Sequence, residues 1–384
     1  MKDEMIRLFR PTFDVDACMA ELRDCLEQGW TGPGFKTDRF EEEWKKYTGL
    51  ENAYFVNSCT AALNLTFDIF KDHYGWQDED EVISTPITFV SSNHAIKLAG
   101  LKPVFADVDD TLCLDPADVE RKITSRTRAV LFVGIGGNVG HYREVLEICR
   151  RNGLRLIVDA AHMSGTRVDG RFPCCDADAV DFSFHTFKTL ATADSGMLCF
   201  KEAELDRIAR IKAWSGINTA AYSEVAVKDH KTYKWHYDVE YVSNCYNGNS
   251  IIAAVALAQL HCLDKDNARR REIAALYDEA FSQHPEQIQL VEYPADCESS
   301  RCLYQIIVKD RDGLVKYLNE HGINSGVHYV DNTNYRMYAY GRGTCPRAAY
   351  FSEHMISLPM HLKLTDEEVR KVICAVLDFV QQKR

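Results

Sequence analysis

Short apolar runs alternate with longer, helix-spaced stretches through the first two-thirds of the chain. Asn52 to Asn57 reads as a strand leading into a helix that opens within Ser58-Cys-Thr-Ala-Ala-Leu63. Glu81 to Ser84 is the next strand, followed by Thr85 to Phe89 and a helix through Leu98. Lys102 to Asp107, Ala129 to Val133 and Leu154 to Asp159 continue the series, and Ala179 to Phe184 with Gly196 to Phe200 reads as a hairpin-like pair. This alternation predicts an α/β fold with a mostly parallel sheet covered by helices on both faces.

From about Asn249 the pattern changes. Ile251 to Phe281 carries apolar residues at helical spacing, with Arg269 to Arg271 on a solvated face. A strand from Leu303 to Val308, a helix from Asp312 to Glu320, a strand near Val327 and a last helix from Asp366 to Gln381 follow. The expected division is a large domain over residues 1–255 and a smaller α/β domain over 256–384, with the boundary inside the long helix.

Composition narrows the function classes. Of the 384 residues, 46% are hydrophobic and 27% charged, the balance of a globular protein. No apolar run reaches membrane-spanning length. A net charge of -12 disfavours nucleic-acid binding, so an anionic ligand must meet a local cluster of donors. The 14 cysteines are scattered without a Cys-x-x-Cys pair, which argues against a zinc site and a disulfide framework and for reduced thiols in the cytoplasm. The opening Met-Lys-Asp-Glu-Met is too charged to begin an apolar signal region.

The chemistry-bearing residues cluster at strand ends. Lys188 closes Asp181-Phe-Ser-Phe-His-Thr-Phe-Lys188, a strand-to-loop transition of apolar character. A lysine in such a place suits Schiff-base chemistry, because desolvation favours the neutral, nucleophilic amine. Asp159-Ala-Ala-His162 ends a neighbouring strand, and a carboxylate there suits a pyridinium nitrogen. Together they suggest pyridoxal 5'-phosphate (PLP). Ser58 to Leu63 joins a strand to a helix whose N-terminus, with Thr60, suits a phosphate; Ser58 or Thr60 equally reads as a plain N-cap. Phe89 suits stacking on a flat ring, or simple core packing. Gly134-Ile-Gly-Gly-Asn-Val-Gly140 imitates a dinucleotide fingerprint, but its last glycine falls one residue late. Tyr246-Asn-Gly-Asn-Ser250 reads as a turn capping the long helix, with amides that also suit a phosphate.

These segments, in this order, resemble the DegT-type (DegT/DnrJ/EryC/StrS) sugar aminotransferases, a branch of the fold-type I PLP-dependent enzymes. The resemblance runs from Gly29-Trp-Thr-Gly-Pro-Gly34 through Cys59 to Leu63, Lys102 to Asp107, Asp159 to His162 and Ser183 to Lys188. It continues through Ala256 to Leu260 and Arg269 to Ile273, and ends at Ser357-Leu-Pro-Met-His361 with Leu364 to Glu368. It implies that Lys188 carries the cofactor and moves the proton, Asp159 holds the pyridine nitrogen, His162 lies against the ring and Phe89 stacks on its other face. It further implies that Thr60, Ala61 and Ser183 hold the phosphate and that Asn247 reaches it from a partner subunit of a homodimer. The reaction implied moves an amino group from L-glutamate to a keto sugar, usually nucleotide-linked, by a ping-pong mechanism. A PLP-binding family member with a regulatory, non-catalytic role is the alternative. Lys188 separates the chain from the dehydratase subgroup, which has His there. Where the family usually has Glu-Gly-Gly, Gly and Asn-x-Arg, this chain has Asp194-Ser-Gly196, Cys59 and Cys245-Tyr-Asn-Gly-Asn249.

Overall fold

The computed structural model describes residues 5–218 and 238–382, so the charged start of the chain, residues 1–4, lies outside the described residues. Seven strands form the main sheet: β1 (Tyr54–Val56), β2 (Glu81–Ser84), β3 (Lys102–Phe105), β4 (Thr127–Val133), β5 (Arg155–Asp159), β7 (Ala179–Ser183) and β8 (Gly196–Phe200). Their order is β1-β8-β7-β5-β4-β2-β3. The strands β7, β5, β4, β2 and β3 run parallel, while β8 lies antiparallel to both β7 and β1. The expected mostly parallel sheet is therefore present, and the pair read as hairpin-like is an antiparallel pair. Strands β5, β7 and β8 are buried almost throughout because helices cover both faces, leaving no solvated side to alternate toward.

Helices α1 (Val15–Glu27), α2 (Phe35–Thr48), α3 (Cys59–Tyr74), α4 (Val90–Leu98), α5 (Pro116–Lys122), α6 (Tyr142–Asn152) and α7 (Ala203–Lys212) accompany this sheet. Polar side chains start several of them: Asp14 caps α1 on the Ala17 N–H, and Ser58 caps α3 on the Ala61 N–H. An aromatic block presses α2 onto β7. Trp44 meets Phe182 and Phe184 edge-on at 4.9 and 5.0 Å, and Phe40 meets Phe55 at 5.2 Å. All five rings are fully buried. Offset and edge-on ring pairs of this kind fix orientation as well as bury area, so β7 is held where it delivers Ser183 and the loop carrying Lys188.

The short β6 (Arg167–Val168) pairs with β12 (Cys297–Glu298), and β9 (Ile217–Asn218) pairs with β10 (Asp238–Val239). The 32-residue α8 (Ser250–Phe281) is capped by Asn249 on the Ile252 N–H. Its residues Ala253 to Leu263 enter the core under the main sheet, and Ile273 to Phe281 enter a second core. That second core lies between an antiparallel sheet, β11 (Ile288–Leu290), β13 (Tyr304–Val308) and β14 (Met355–Leu358), and the helices α9 (Arg311–Glu320) and α11 (Asp366–Gln382). The helix α10 (Pro346–His354) sends Ala348 and Phe351 into the first core. Ile6, near the other end of the chain, joins the second core and bridges to Ile323.

The strand read near Val327 is not formed. Gly326 makes one antiparallel bridge to Ser357, and the chain then turns into Asp331, whose side chain accepts the Thr333 N–H. A single bridge followed by this capped turn directs His328 and Tyr329 toward the main sheet instead of extending a ladder.

Candidate active site

A cavity of about 470 Å³ opens at the carboxyl ends of β4, β5 and β7. In open parallel sheets this edge is where ligands bind, because helix N-termini and strand-end side chains converge there. Lys188, Asp159, His162, Ser183, Thr60 and Phe89 all line it. Ala61 and Asn247 do not. The Ala61 N–H is taken by Ser58 Oγ at 3.1 Å, so the capping reading of Ser58 holds, and the amides of Cys59 and Thr60 are the ones left at the start of α3. Asn247 lies against the edge strand, bridged to Val56 and hydrogen-bonded to the Tyr54 hydroxyl.

Asp159 ends β5 at the floor of the cavity. Its Oδ2 accepts from Ser92 Oγ at 2.7 Å and its Oδ1 from the Ala161 N–H at 3.1 Å. Burial raises its pKa above the ordinary carboxylate value; the Ser92 and Ala161 hydrogen bonds and the nearby Lys188 charge oppose that rise. A carboxylate so placed has every reason to take a cationic partner. Lys188 sits in the β7–β8 connection, in a turn closed by its own N–H donating to His185 O at 2.8 Å. Cys59 and Cys302 line the same cavity, and burial pushes both thiols up, so both stay protonated.

His162 is buried, and burial, aided by the Lys188 charge, holds its pKa well below the usual imidazole value. Gly136 donates its N–H to His162 Nδ1 at 3.1 Å, and Tyr329 Oη lies 3.2 Å from Nε2. Gly136 has φ 63 and Gly137 φ 86, the left-handed region that favours glycine. A Cβ on Gly137 would stand 2.2 Å from Ser300 Oγ, the same hydroxyl that donates to His162 O at 2.6 Å. The glycine-rich loop thus serves the imidazole. Its glycines provide left-handed backbone and close approach to the chain that carries His162.

Several lining residues had no local signal in the sequence. Phe9 stacks on Phe187 with ring centroids 5.4 Å apart, closing the cavity from the N-terminal segment. His328 and Tyr329 arrive from the C-terminal part, and burial lowers His328 to about 4 while its Nδ1 meets Ser357 Oγ at 2.9 Å. Ser92, in the first turn of α4 and three residues after Phe89, does not line the cavity but holds Asp159, and it too had no local signal.

The residues present fit a phosphorylated pyridine aldehyde. A half-exposed Phe89 ring offers one flat wall and His162 another. A carboxylate stands at the floor, an amine at the side, and free amides with Thr60 and Ser183 hydroxyls at one end. Gly196, in the strand beside α3, leaves room there: a Cβ would come within 2.7 Å of the Cys59 nitrogen.

The DegT/DnrJ/EryC1/StrS aminotransferase family model matches residues 14–377. The spore coat polysaccharide biosynthesis protein SpsC of Bacillus subtilis (strain 168) is 33% identical over 373 residues, 94% of each chain. The aminotransferase TlmJ from Streptoalloteichus hindustanus superposes with a TM-score of 0.89 at 31% identity, covering 99% of this chain and 100% of that one. The PLP form of the putative sugar aminotransferase Spr1654 from Streptococcus pneumoniae superposes with a TM-score of 0.87 at 28% identity, covering 98% of each. With the family model spanning nearly the whole chain and the cavity built to match, this chain belongs to the DegT/DnrJ/EryC1/StrS aminotransferase family and is a PLP-dependent aminotransferase of fold-type I.

Proposed function

We propose that the chain moves an amino group from an amino acid, L-glutamate, to a keto sugar carried on a nucleotide, in two successive half-reactions within a homodimer. The observation that carries this reading is the convergence of Lys188, the buried Asp159 carboxylate and the exposed face of Phe89 on one cavity. Bound PLP supplies a pyridinium ring that draws electrons from the carbon bearing the amino group. Asp159 holds the proton on the ring nitrogen, and Lys188 Nζ takes the proton from the amino-acid carbon and returns it on the far side of the reaction. Cys59 and Thr60 N–H with the hydroxyls of Thr60 and Ser183 bind the phosphate at the start of α3, where the helix dipole favours an anion. Phe89 and His162 hold the ring between them. The partner subunit's Asn247 completes the phosphate site, in keeping with its place outside its own chain's cavity. The acceptor is a sugar because the relatives act on sugars or, like SpsC, in polysaccharide biosynthesis.

The test is borohydride reduction of the protein carrying its cofactor, followed by peptide mapping. The label is expected on Lys188, and a label on any other lysine would overturn the assignment. Adding glutamate should shift the visible absorbance in a single turnover, and no other common amino acid should do so faster.

A further inference from the structure

His162 is gripped at both ring nitrogens, and the two grips differ in kind. The Gly136 backbone group can only donate, so Nδ1 is the accepting nitrogen. A neutral ring then carries its proton on Nε2, which donates to Tyr329 Oη at 3.2 Å. The two rings lie nearly parallel, at 15° with centroids 6.0 Å apart, and both line the cavity. The Phe89 ring lies 6.1 Å from that of Tyr329. Ser300 Oγ fixes the His162 carbonyl from behind. With the histidine proton directed at its oxygen, Tyr329 keeps its own O–H for another acceptor on the cavity side. Burial pushes that phenol far above its ordinary value, so it remains a donor.

We infer that Tyr329 is the positioning residue for His162: with the tautomer set by the Gly136 N–H, it accepts a hydrogen bond from Nε2–H and so fixes the plane of the imidazole against the bound pyridine ring. This deepens the proposed function and rests on it for the identity of that ring. The consequence is a wall that adds no positive charge beside Lys188. His328, the other imidazole there, is held neutral by burial and tied to Ser357.

The first readout needs no catalysis. In protein labelled with ¹⁵N at the imidazoles, with His162→Gln used to assign the signals, Nδ1 should appear unprotonated and Nε2 protonated. Tyr329→Phe keeps the ring and removes only the acceptor, so Nδ1 should stay unprotonated while the Nε2–H proton signal moves upfield and exchanges faster with water. The second readout is a double-mutant cycle on the dissociation constant of PLP from the apoprotein. Tyr329→Phe should raise it roughly tenfold by leaving a buried N–H unpaired. In a His162→Ala background the same change should have little effect. Equal losses in both backgrounds, or an unchanged Nε2–H shift and exchange rate in Tyr329→Phe, would overturn the inference. Should the apoprotein take up no PLP at all, the proposed function falls, while the Nε2–H measurement still decides the role of Tyr329.

Discussion

Glu41→Gln tests how burial and pairing compete beneath the active site. Glu41 lies in α2 and is 6% exposed. Its Oε1 accepts the Phe55 N–H at 2.9 Å and its Oε2 accepts from Arg210 at 2.9 Å. Despite the arginine, burial pushes the carboxyl from 4.5 to about 7. In the unfolded chain the proton leaves near the ordinary value, so between the two the folded state holds one more proton. Stability from this group is therefore full below about 4.5 and is lost as pH rises through about 7. At about 1.36 kcal/mol per pH unit the whole loss is roughly 3 kcal/mol, of which about 2 kcal/mol falls between pH 5.5 and 8. Gln does not titrate, so the variant lacks this loss. Thermal unfolding of both apoproteins across that range should show the variant gaining on the parent as pH rises, by several degrees in Tm. Parallel pH profiles would refute the reasoning. A parent that gained on the variant would mean that the Arg210 pair outweighs burial. The outcome matters for the site, because Arg210 also lies over the Tyr54 ring at 4.7 Å, and Tyr54 holds Asn247.

Asp159→Asn keeps an acceptor for the Ala161 N–H but removes the charge; single-turnover reaction with glutamate should slow by about 10²-fold or more, with little change in Tm. Gly137→Ala should lower stability by about 3 kcal/mol or more, since backbone strain adds to the clash with Ser300. Gly153→Ala, at φ 63 with open space around it, should show only the strain, about 1 kcal/mol, in the same unfolding assay. Asn249→Ala removes the cap of α8 and should cost about 1 kcal/mol in thermal unfolding, leaving the cofactor spectrum unchanged.

The main sheet was readable because its strands are short, mostly apolar segments such as Thr127–Val133 and Arg155–Asp159, set between helix-spaced stretches. Asp159 was readable because it ends such a segment, and Lys188 because it lies on the apolar stretch that leads out of Ala179–Ser183. The loop from Gly134 to Gly140 shows the limit. Its spacing imitates a phosphate-binding turn, whereas the folded chain uses Gly136 and Gly137 to hold His162 and to let Ser300 approach. The late glycine argues against the dinucleotide use, but nothing local announces the hold on His162. Tyr329, His328 and Phe9 were silent because their role depends on which distant segments the topology brings together. The strand expected near Val327 failed for the same reason: its apolar neighbours serve a turn aimed at the cavity, not a ladder.

The N-terminal segment carries a consequence for how the protein is made. Ile6 donates its N–H to Gly322 O and accepts from Asn324, Leu8 accepts from the Met360 N–H, and Phe9 then closes the cavity. The backbone partners Gly322, Asn324 and Met360 are all synthesised long after Ile6 and Leu8. On a ribosome adding about 5–20 residues per second, the main sheet has time to form while this segment still has no place to dock. This segment is thus made well before the residues that seat it, and the cavity acquires this wall only after Met360 has been synthesised.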